Sequence, residues 1–195
     1  DRSYDIVVGA NLLDTLGERL QLLLPGRQIC VVSNETVAPL YLTQVLDSLH
    51  TSGFSTVEVT LPDGESYKNW ESLSIIFDAF IGNSFERSAT ILALGGGVVG
   101  DMSGYAAASL LRGVNFVQVP TTLLSQVDAS VGGKTGINHP LGKNLIGAFY
   151  QPKMVAIDTI TLKTLSPRDF SSGLAEVIKY GIIWDAGFFS YLESN

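Results

Sequence analysis

The sequence is short of several residue types, and each shortage excludes a class of protein. Its 195 residues include a single cysteine, Cys30, which rules out a disulfide within the chain and favours a reducing compartment. Basic residues are the minority, with 12 Lys and Arg against 19 Asp and Glu, and the net charge of −7 argues against nucleic acid or an anionic membrane as the main partner. No apolar run is long enough to span a bilayer, and no signal peptide is evident at the start. We therefore expect a cytoplasmic location.

Histidine is also scarce, and this limits what the chain alone can bind. His50 and His139 are the two histidines, and neither stands at metal-ligand spacing from Glu176. The residues by themselves therefore do not predict a complete zinc site. Cys30 lies within the apolar run 29–32 and is expected to be a buried structural thiol rather than a nucleophile.

What the sequence does contain is a glycine-rich stretch at residues 89–101, ATILALGGGVVGD. The apolar run 89–94 predicts a buried strand of a parallel sheet, and the small apolar segment 102–111 predicts a helix. Glycines between a strand and a helix let the backbone approach a pyrophosphate, which the free N–H groups of the helix can bind. Because Asp101 stands where GxGxxG would place a third small residue, the standard dinucleotide fingerprint is not matched. A plain glycine turn in any α/β protein explains these residues equally well.

Strands alternate with helices over residues 1–158, which predicts an α/β fold with a Rossmann-like, largely parallel sheet and flanking helices. The predicted strands are 4–8, 28–32, 57–61, 89–94, 115–119 and 154–157; the predicted helices are 12–23, 36–49, 69–81, 102–111 and 123–131. Residues 132–136 are predicted to be a flexible glycine segment. After Asp158 the pattern changes to a helix over 162–183, interrupted near Ser166 and at Gly173. We expect residues 159–195 to begin a second, helical domain.

Two groups of polar residues follow predicted strands. Asp63, Glu65 and Lys68 share one loop, where a carboxylate can accept hydrogen bonds from ribose hydroxyls. A solvated turn with an ion pair at i,i+3 spacing explains the same residues. Thr121 and Thr122 can hold a ligand or cap the following helix, and capping is the simpler interpretation.

A denser polar set lies in the stretch after residue 127: Asp128, Lys134, Lys143 and Asn144. Two lysines near glycines suit phosphate or carboxylate binding, although surface lysines on loops explain them equally well. The frame GxxxxG is absent before Lys134, which excludes a P-loop. Arg112 can be a further anion contact or a partner for a helix carboxyl end.

Glu176 and Lys179 lie three residues apart on a predicted helix and therefore share one face. A half-buried acid among apolar neighbours can bind a metal ion. Pairing between the two side chains within the helix is the default interpretation.

Together these segments resemble the 3-dehydroquinate synthase family over nearly the whole chain. The matching motifs, in order, are PDGE-xx-K (62–68), GGGVVGD (95–101), RG (112–113), VPTTLLSQVDASVGGKTGIN (119–138), GKNLIGAFYQP (142–152) and LAEVIKYG (174–181). The resemblance implies an NAD-binding α/β domain over 1–158 and the beginning of a helical, metal-binding domain over 159–195. It implies conversion of 3-deoxy-D-arabino-heptulosonate 7-phosphate to 3-dehydroquinate and phosphate, with NAD, zinc or cobalt, and a homodimer.

The resemblance also implies roles for individual residues. Arg112 would reach the substrate phosphate, in the partner subunit, and Glu176 would be the carboxylate ligand of the metal. The implied substrate-side and catalytic residues are Asp128, Lys134, Lys143, Asn144, Lys179 and Arg112. The implied NAD contacts are Asp63, Glu65, Lys68, Gly97, Val98, Val99, Gly100, Asp101, Thr121, Thr122, Lys134, Lys143, Thr161, Leu162, Lys163 and Thr164.

Other functions fit the same motifs. The nearest are other sugar-phosphate cyclases, such as 2-deoxy-scyllo-inosose synthase or a sedoheptulose-7-phosphate cyclase. A metal-dependent polyol dehydrogenase would share the glycine turn, and a non-catalytic NAD-binding module would share the fold. By the resemblance, two metal-binding histidines and several substrate contacts lie beyond Asn195. We therefore expect this chain alone to bind NAD weakly and to lack synthase activity.

Overall fold

The computed structural model describes residues 3–194, which form a six-stranded sheet, a separate hairpin and flanking helices. The strands of the sheet are β1 (Asp5–Gly9), β2 (Gln28–Asn34), β3 (Ser55–Leu61), β4 (Thr90–Gly95), β5 (Asn115–Pro120) and β8 (Met154–Asp158). They are parallel throughout and lie in the order β1-β8-β5-β4-β2-β3. The expected α/β fold with a Rossmann-like parallel sheet is confirmed.

The helices cover both faces of this sheet. They are α1 (Leu16–Leu23), α2 (Ala38–Thr51), α3 (Trp70–Gly82), α4 (Gly97–Ser109), α5 (Pro167–Trp184) and α6 (Ala186–Ser194). One core cluster packs α1 and α2 on one face, and a second packs α3 and α4 on the other. In β4, Ile91 points into the α3–α4 cluster and Leu92 into the α1–α2 cluster, since side chains alternate along a strand. A strand covered on both faces is expected to be almost wholly apolar, and 89–94 is apolar except for the buried Thr90.

The hairpin of β6 (Lys134–His139) and β7 (Gly142–Phe149) corrects the prediction of a flexible segment at 132–136. The two strands are rich in glycine, which has low strand propensity, and this obscured the alternation of a hairpin. Gly136 and Gly147 lie directly opposite each other in the hairpin. A Cβ on Gly147 would lie 2.0 Å from the carbonyl oxygen of Thr135, so the two backbones approach too closely for a side chain there.

Three helix predictions also need correction. Helix α4 begins at Gly97 rather than at 102, and its early glycines allow close packing rather than a turn: a Cβ on Gly100 would lie 2.9 Å from Gln118 Oε1. Helix α5 runs through Gly173, where a Cβ would lie 2.6 Å from the backbone nitrogen of Leu124. The predicted helix 123–131 is a short π-helical turn, Ser125–Ala129. The predicted interruption near Ser166 is confirmed, since Ser166 caps α5 after a 3-10 turn over Thr159–Thr164.

A buried carboxylate joins the start of the sheet domain to its last strand. Asp158, at the end of β8, accepts hydrogen bonds from the backbone N–H groups of Asn11 (3.0 Å), Leu13 (3.1 Å) and Ile160 (3.0 Å). These bonds tie the 3-10 turn Leu12–Thr15 and the turn Thr159–Thr164 to one edge of the sheet. Among residues 3–194, no helix is both long enough and apolar enough to cross a membrane.

Cys30 is fully buried in β2, as expected, and burial raises the pKa of its thiol to about 12. Since the thiolate is the reactive species, we predict that an aromatic disulfide reagent labels the native protein at pH 8 at least about 100-fold more slowly than the urea-unfolded chain. Equally fast labelling in the two states would contradict a buried structural role.

Candidate functional site

The order of the strands creates a crevice at the carboxyl edge of the sheet. From β2 the chain crosses outward to β3, whereas from β4 it crosses in the opposite direction to β5. In open parallel sheets, ligands bind where the connections diverge in this way, between the carboxyl ends of neighbouring strands. Ser33, near the end of β2, donates a 2.8 Å hydrogen bond to the carbonyl of Leu94 in β4 and fixes the two strand ends together.

A cavity of about 350 Å³ occupies this position, and we call it the crevice. The turn of residues 96–99 forms its floor. Its lining includes Asn34, Thr36, Asp63, Gly96, Gly97, Val98, Val99, Thr121, Thr122, Thr164, Leu165 and Ser166. Seven of the residues that the family resemblance assigned to the cofactor therefore lie together: Asp63, Gly97, Val98, Val99, Thr121, Thr122 and Thr164.

The amino end of α4 gives the crevice its capacity for an anion. Gly96, at the cap position, has no side chain to bond the first N–H groups of the helix, so they face the cavity without a side-chain cap. Thr121 is buried beside them, and its hydroxyl oxygen has no hydrogen-bond partner within residues 3–194. An unpaired buried hydroxyl is costly, and a bound phosphate would supply its missing partner.

At the other end of the crevice, the Asp63 carboxylate is held in place by two donors. Asn34 Nδ2 and Thr36 Oγ1 each donate to it at 2.6 Å, while Asn34 Oδ1 accepts from the N–H of Val37. Asn34 and Thr36 were not identified from the sequence as candidate site residues. Their position directly after a predicted strand, like that of Asp63, was the signal that could have identified them.

The remaining threonines divide between ligand-facing and structural positions. Thr122 Oγ1 accepts from the N–H of Ser125 at 3.2 Å, which confirms the capping interpretation, although Thr122 also lines the crevice. Thr161 is buried and bonded to Gln126 and to the carbonyl of Asp158. Thr164 bonds to the hydroxyl of Tyr41. Leu162 and Lys163 lie between these two threonines on the same 3-10 turn.

A second cavity, of about 490 Å³, lies between the π-helical turn, Asp101 of α4 and the hairpin, and we call it the polar cavity. Four of the polar residues singled out from the sequence line it: Asp101, Asp128, Lys134 and Asn144. Asp128 lies on the π-helical turn, a geometry that is frequent at functional sites. The hydroxyl of Tyr180 in α5 lies 3.5 Å from its carboxylate. Two acids, a lysine and an amide around one cavity can bind a polyhydroxylated anion.

Lys68 does not make the i,i+3 ion pair that a solvated turn would have, so that alternative is wrong. Its ammonium bonds instead to Asp101 and to Asn144. Glu65 faces Lys143 at 3.9 Å on the surface. Burial raises the pKa of the Asp101 carboxyl above its usual value, while the hydrogen bond and charge of Lys68 oppose that rise.

Other predicted site residues lie outside both cavities. Arg112 is exposed at the carboxyl end of the α4 segment, the opposite end from the turn of residues 96–99. Glu176 pairs with Lys179 on α5, which confirms the intrahelical pairing. No three His, Cys, Asp or Glu side chains within residues 3–194 are grouped as metal ligands. Gly100 packs against Gln118 rather than lining a cavity.

Comparison with known proteins identifies the family. The model of the N-terminal region of 3-dehydroquinate synthase matches residues 58–172. The chain belongs to the 3-dehydroquinate synthase family. Its relatives in this family include the 3-dehydroquinate synthases of Pseudomonas fluorescens (strain Pf0-1) and Citrifermentans bemidjiense, each 60% identical over the whole chain. The match covers 52% and 54% of those two proteins, so the chain spans about half the length of these relatives.

Solved structures place this 3-dehydroquinate synthase family chain among sugar-phosphate cyclases. It resembles 2-epi-5-epi-valiolone synthase from Streptomyces hygroscopicus, solved with NAD⁺ and Zn²⁺ bound, with a TM-score of 0.90 and 33% identity over 100% of this chain and 53% of that one. It resembles 2-deoxy-scyllo-inosose synthase complexed with carbaglucose-6-phosphate, NAD⁺ and Co²⁺, with a TM-score of 0.87 and 27% identity over 94% of this chain and 50% of that one. An NADH-dependent butanol dehydrogenase from Thermotoga maritima, at 18% identity and a TM-score of 0.76, shares the fold.

Proposed function

We propose that the protein is a 3-dehydroquinate synthase, which converts 3-deoxy-D-arabino-heptulosonate 7-phosphate to 3-dehydroquinate and orthophosphate. The observation that carries this proposal is that the amino-terminal part of α4 lines both cavities. Gly97, Val98 and Val99, in the first turn of the helix, line the crevice, and Asp101, at the start of the next turn, lines the polar cavity. A dinucleotide held in the crevice would thus present its reactive end to a substrate in the polar cavity. The 60% identity to proteins of this name supports the same choice.

The residues of the crevice fit NAD⁺. The uncapped amino end of α4 and the orphan hydroxyl of Thr121 suit the pyrophosphate, and the fixed carboxylate of Asp63 suits a ribose diol. NAD⁺ would supply a reversible hydride acceptor, and a divalent cation would polarise the hydroxyl and the ketone formed from it. The residues of this chain bind and orient the cofactor.

The residues of the polar cavity fit a phosphorylated sugar acid. Lys134 offers a cation to an anionic group, and the amide of Asn144 can bond hydroxyls. The Asp128 carboxylate can accept a proton from the substrate or orient one of its hydroxyls. Holding the substrate in one conformation lets successive steps begin near their reactive geometry.

Several further features are part of the proposal. We assign Glu176 as one ligand of zinc or cobalt, with Lys179 as a substrate contact and the other metal ligands outside this chain. Lys143, Glu65 and the turn Thr161 to Thr164 remain proposed cofactor contacts. Arg112, remote from the cavities of its own chain, would serve a partner subunit in a homodimer. We further propose a cytoplasmic location and a domain division after Asp158.

The orphan hydroxyl gives a prediction for cofactor binding. Thr121→Val keeps the shape of the side chain and removes a hydroxyl that has no partner among residues 3–194, so the midpoint of thermal unfolding should stay within about 2 °C or rise. The affinity for NAD⁺ should fall about tenfold, because one hydrogen bond to the cofactor is lost. Calorimetric titration of the full-length protein measures the affinity. An unchanged affinity would contradict the placement of the pyrophosphate beside Thr121.

The function itself is tested with the purified full-length protein, NAD⁺, Co²⁺ and 3-deoxy-D-arabino-heptulosonate 7-phosphate. We expect equimolar orthophosphate and 3-dehydroquinate, with no net formation of NADH. Steady NADH release from a polyol would indicate a dehydrogenase, and turnover of a different sugar phosphate would indicate another cyclase. Either result, or cofactor binding with no turnover of any of these substrates, would overturn the proposal. The chain of 195 residues assayed alone should show no turnover.

A further inference from the structure

Lys68 is buried although its neighbours along the loop are not. Its side chain is 4% exposed, whereas Glu65, Ser66 and Tyr67 on the preceding 3-10 turn are exposed. A buried ammonium is stable only where other groups replace its lost water. The groups that bond to the Lys68 ammonium therefore indicate its role.

Its two partners both belong to the wall of the polar cavity. Lys68 Nζ donates to Asp101 Oδ2 and to Asn144 Oδ1, each at 2.5 Å. Asp101 and Asn144 line the polar cavity, whereas Lys68 lines neither it nor the crevice. Lys68 therefore stands behind the residues that face a ligand.

The backbone of the same loop is bonded to the hairpin. The N–H of Asn138 in β6 donates to the carbonyl of Lys68 at 2.8 Å. Asn138 Oδ1 in turn accepts from the N–H of Asn144 at 2.8 Å, and Asn144 has a left-handed φ of 57°. The hairpin is thus held against the loop at both the backbone and the side chain of Lys68.

We propose that Lys68 is a positioning residue whose ammonium fixes the Asp101 carboxylate and the Asn144 amide in the wall of the polar cavity. This differs from the adenosine and ribose contact implied by the family resemblance. The proposal rests on the proposed function only for the changes in kcat and kcat/KM that it predicts. The hydrogen bonds that carry it are independent of the reaction.

The electrostatics of Asp101 agree with this role. The charged groups around it are Lys68 and Glu65 on the loop, and Asp128 and Lys134 across the polar cavity. Burial and the charge of Glu65 raise the pKa of the Asp101 carboxyl, and Lys68 lowers it. Without Lys68, Asp101 would take up a proton at a higher pH and lose its charge.

The test compares Lys68→Met with Lys153→Met in the full-length protein. The control makes the same chemical change at an exposed lysine just before β8, at the opposite edge of the sheet. We expect Lys68→Met to lower kcat about 10- to 100-fold, with the dissociation constant for NAD⁺ within about threefold of the wild type. The acid limb of the kcat/KM profile should move to higher pH. Lys68→Arg, which keeps the charge, should return that limb towards its wild-type position.

A double-mutant cycle shows whether Lys68 acts through Asp101. The kcat loss of Lys68→Met combined with Asp101→Asn should be smaller than the product of the two separate losses. A rise of tenfold or more in the dissociation constant for NAD⁺, with kcat retained at saturating cofactor, would overturn the proposal in favour of a direct contact. The proposal would also be overturned if the kcat losses of Lys68→Met and Asp101→Asn multiplied independently in the double variant. It would likewise be overturned if Lys68→Met lowered the unfolding temperature but left the acid limb of the kcat/KM profile unmoved.

One readout needs no turnover and separates this inference from the proposed function. The carboxyl ¹³C signal of Asp101, followed by NMR against pH, should report a pKa higher by about 1 to 3 in Lys68→Met than in the wild type. If the wild-type protein makes no 3-dehydroquinate, the proposed function fails and this titration still decides the role of Lys68. If the Asp101 carboxyl titrated at the same pH in Lys68→Met and in the wild type, the positioning role of Lys68 would be contradicted.

Discussion

Asp128→Asn is expected to lower kcat for 3-dehydroquinate formation by the full-length protein about 10²- to 10⁴-fold. The Asp128 carboxylate lies on the wall of the polar cavity with Lys134, at an exposed position of the π-helical turn. An amide has nearly the same shape but cannot accept a proton, so the proton-transfer function is lost. The affinity for NAD⁺ should stay within about threefold, because Asp128 does not line the crevice.

The matched control for this substitution is Asp78→Asn, the same change at an exposed position on α3. It should leave kcat, KM and NAD⁺ affinity unchanged. Steady-state assays of released orthophosphate measure both variants. If Asp128→Asn retained wild-type turnover, Asp128 would have no catalytic role. If the wild-type protein bound NAD⁺ but had no measurable turnover, a non-catalytic NAD-binding module would be favoured instead.

Gly147→Ala is expected to destabilise the protein by about 2 to 3 kcal/mol, which lowers the unfolding temperature by roughly 5 to 10 °C. The added Cβ would lie 2.0 Å from the carbonyl oxygen of Thr135 and 2.9 Å from the Cα of Gly136, so the hairpin strands must separate. Because Lys134 and Asn144 lie on these strands, the polar cavity should lose its geometry as well. Thermal unfolding followed by circular dichroism measures the change.

Gly82→Ala is the control for this effect. In the part of the chain that the structure describes, nothing lies within 4 Å of a Cβ at Gly82, at the end of α3, and alanine has a higher helix propensity than glycine. It should keep or raise the unfolding temperature by about 1 to 3 °C. If the two alanine variants unfolded at the same temperature, the close approach of β6 and β7 would not be the reason for glycine in the hairpin.

The sequence was most informative where one physical effect dominates. The run 89–94 alternates between two core clusters, and only an apolar strand covered on both faces fits that arrangement. The crevice was predicted because a strand, glycines and a helix follow one another over residues 89–111, and the structure brings Asp63 and Thr121 to the same place. These predictions depended on local patterns after the ends of strands. Parallel strands bring the residues that follow their carboxyl ends to one edge of the sheet.

The sequence was least informative where a residue serves a distant partner. Gly173 was interpreted as a helix break and Gly100 as a turn residue, but each allows two segments to pack closely, and local sequence does not show which segment packs there. Lys68 was placed on a loop with Asp63 and Glu65, and one interpretation of that loop was a solvated turn with an ion pair at i,i+3 spacing. Its partners Asp101 and Asn144 lie 33 and 76 residues away along the chain. Only the fold shows that the loop and the hairpin meet.

The central claim is that the crevice between β2 and β4 holds the dinucleotide and delivers it to the polar cavity. A crystal structure of the full-length protein with NAD⁺ tests this most directly. We predict that the pyrophosphate lies at the amino end of α4, within hydrogen-bond distance of Thr121 Oγ1, with the nicotinamide beside Asp101. NAD⁺ bound elsewhere, with the crevice empty, would contradict the account.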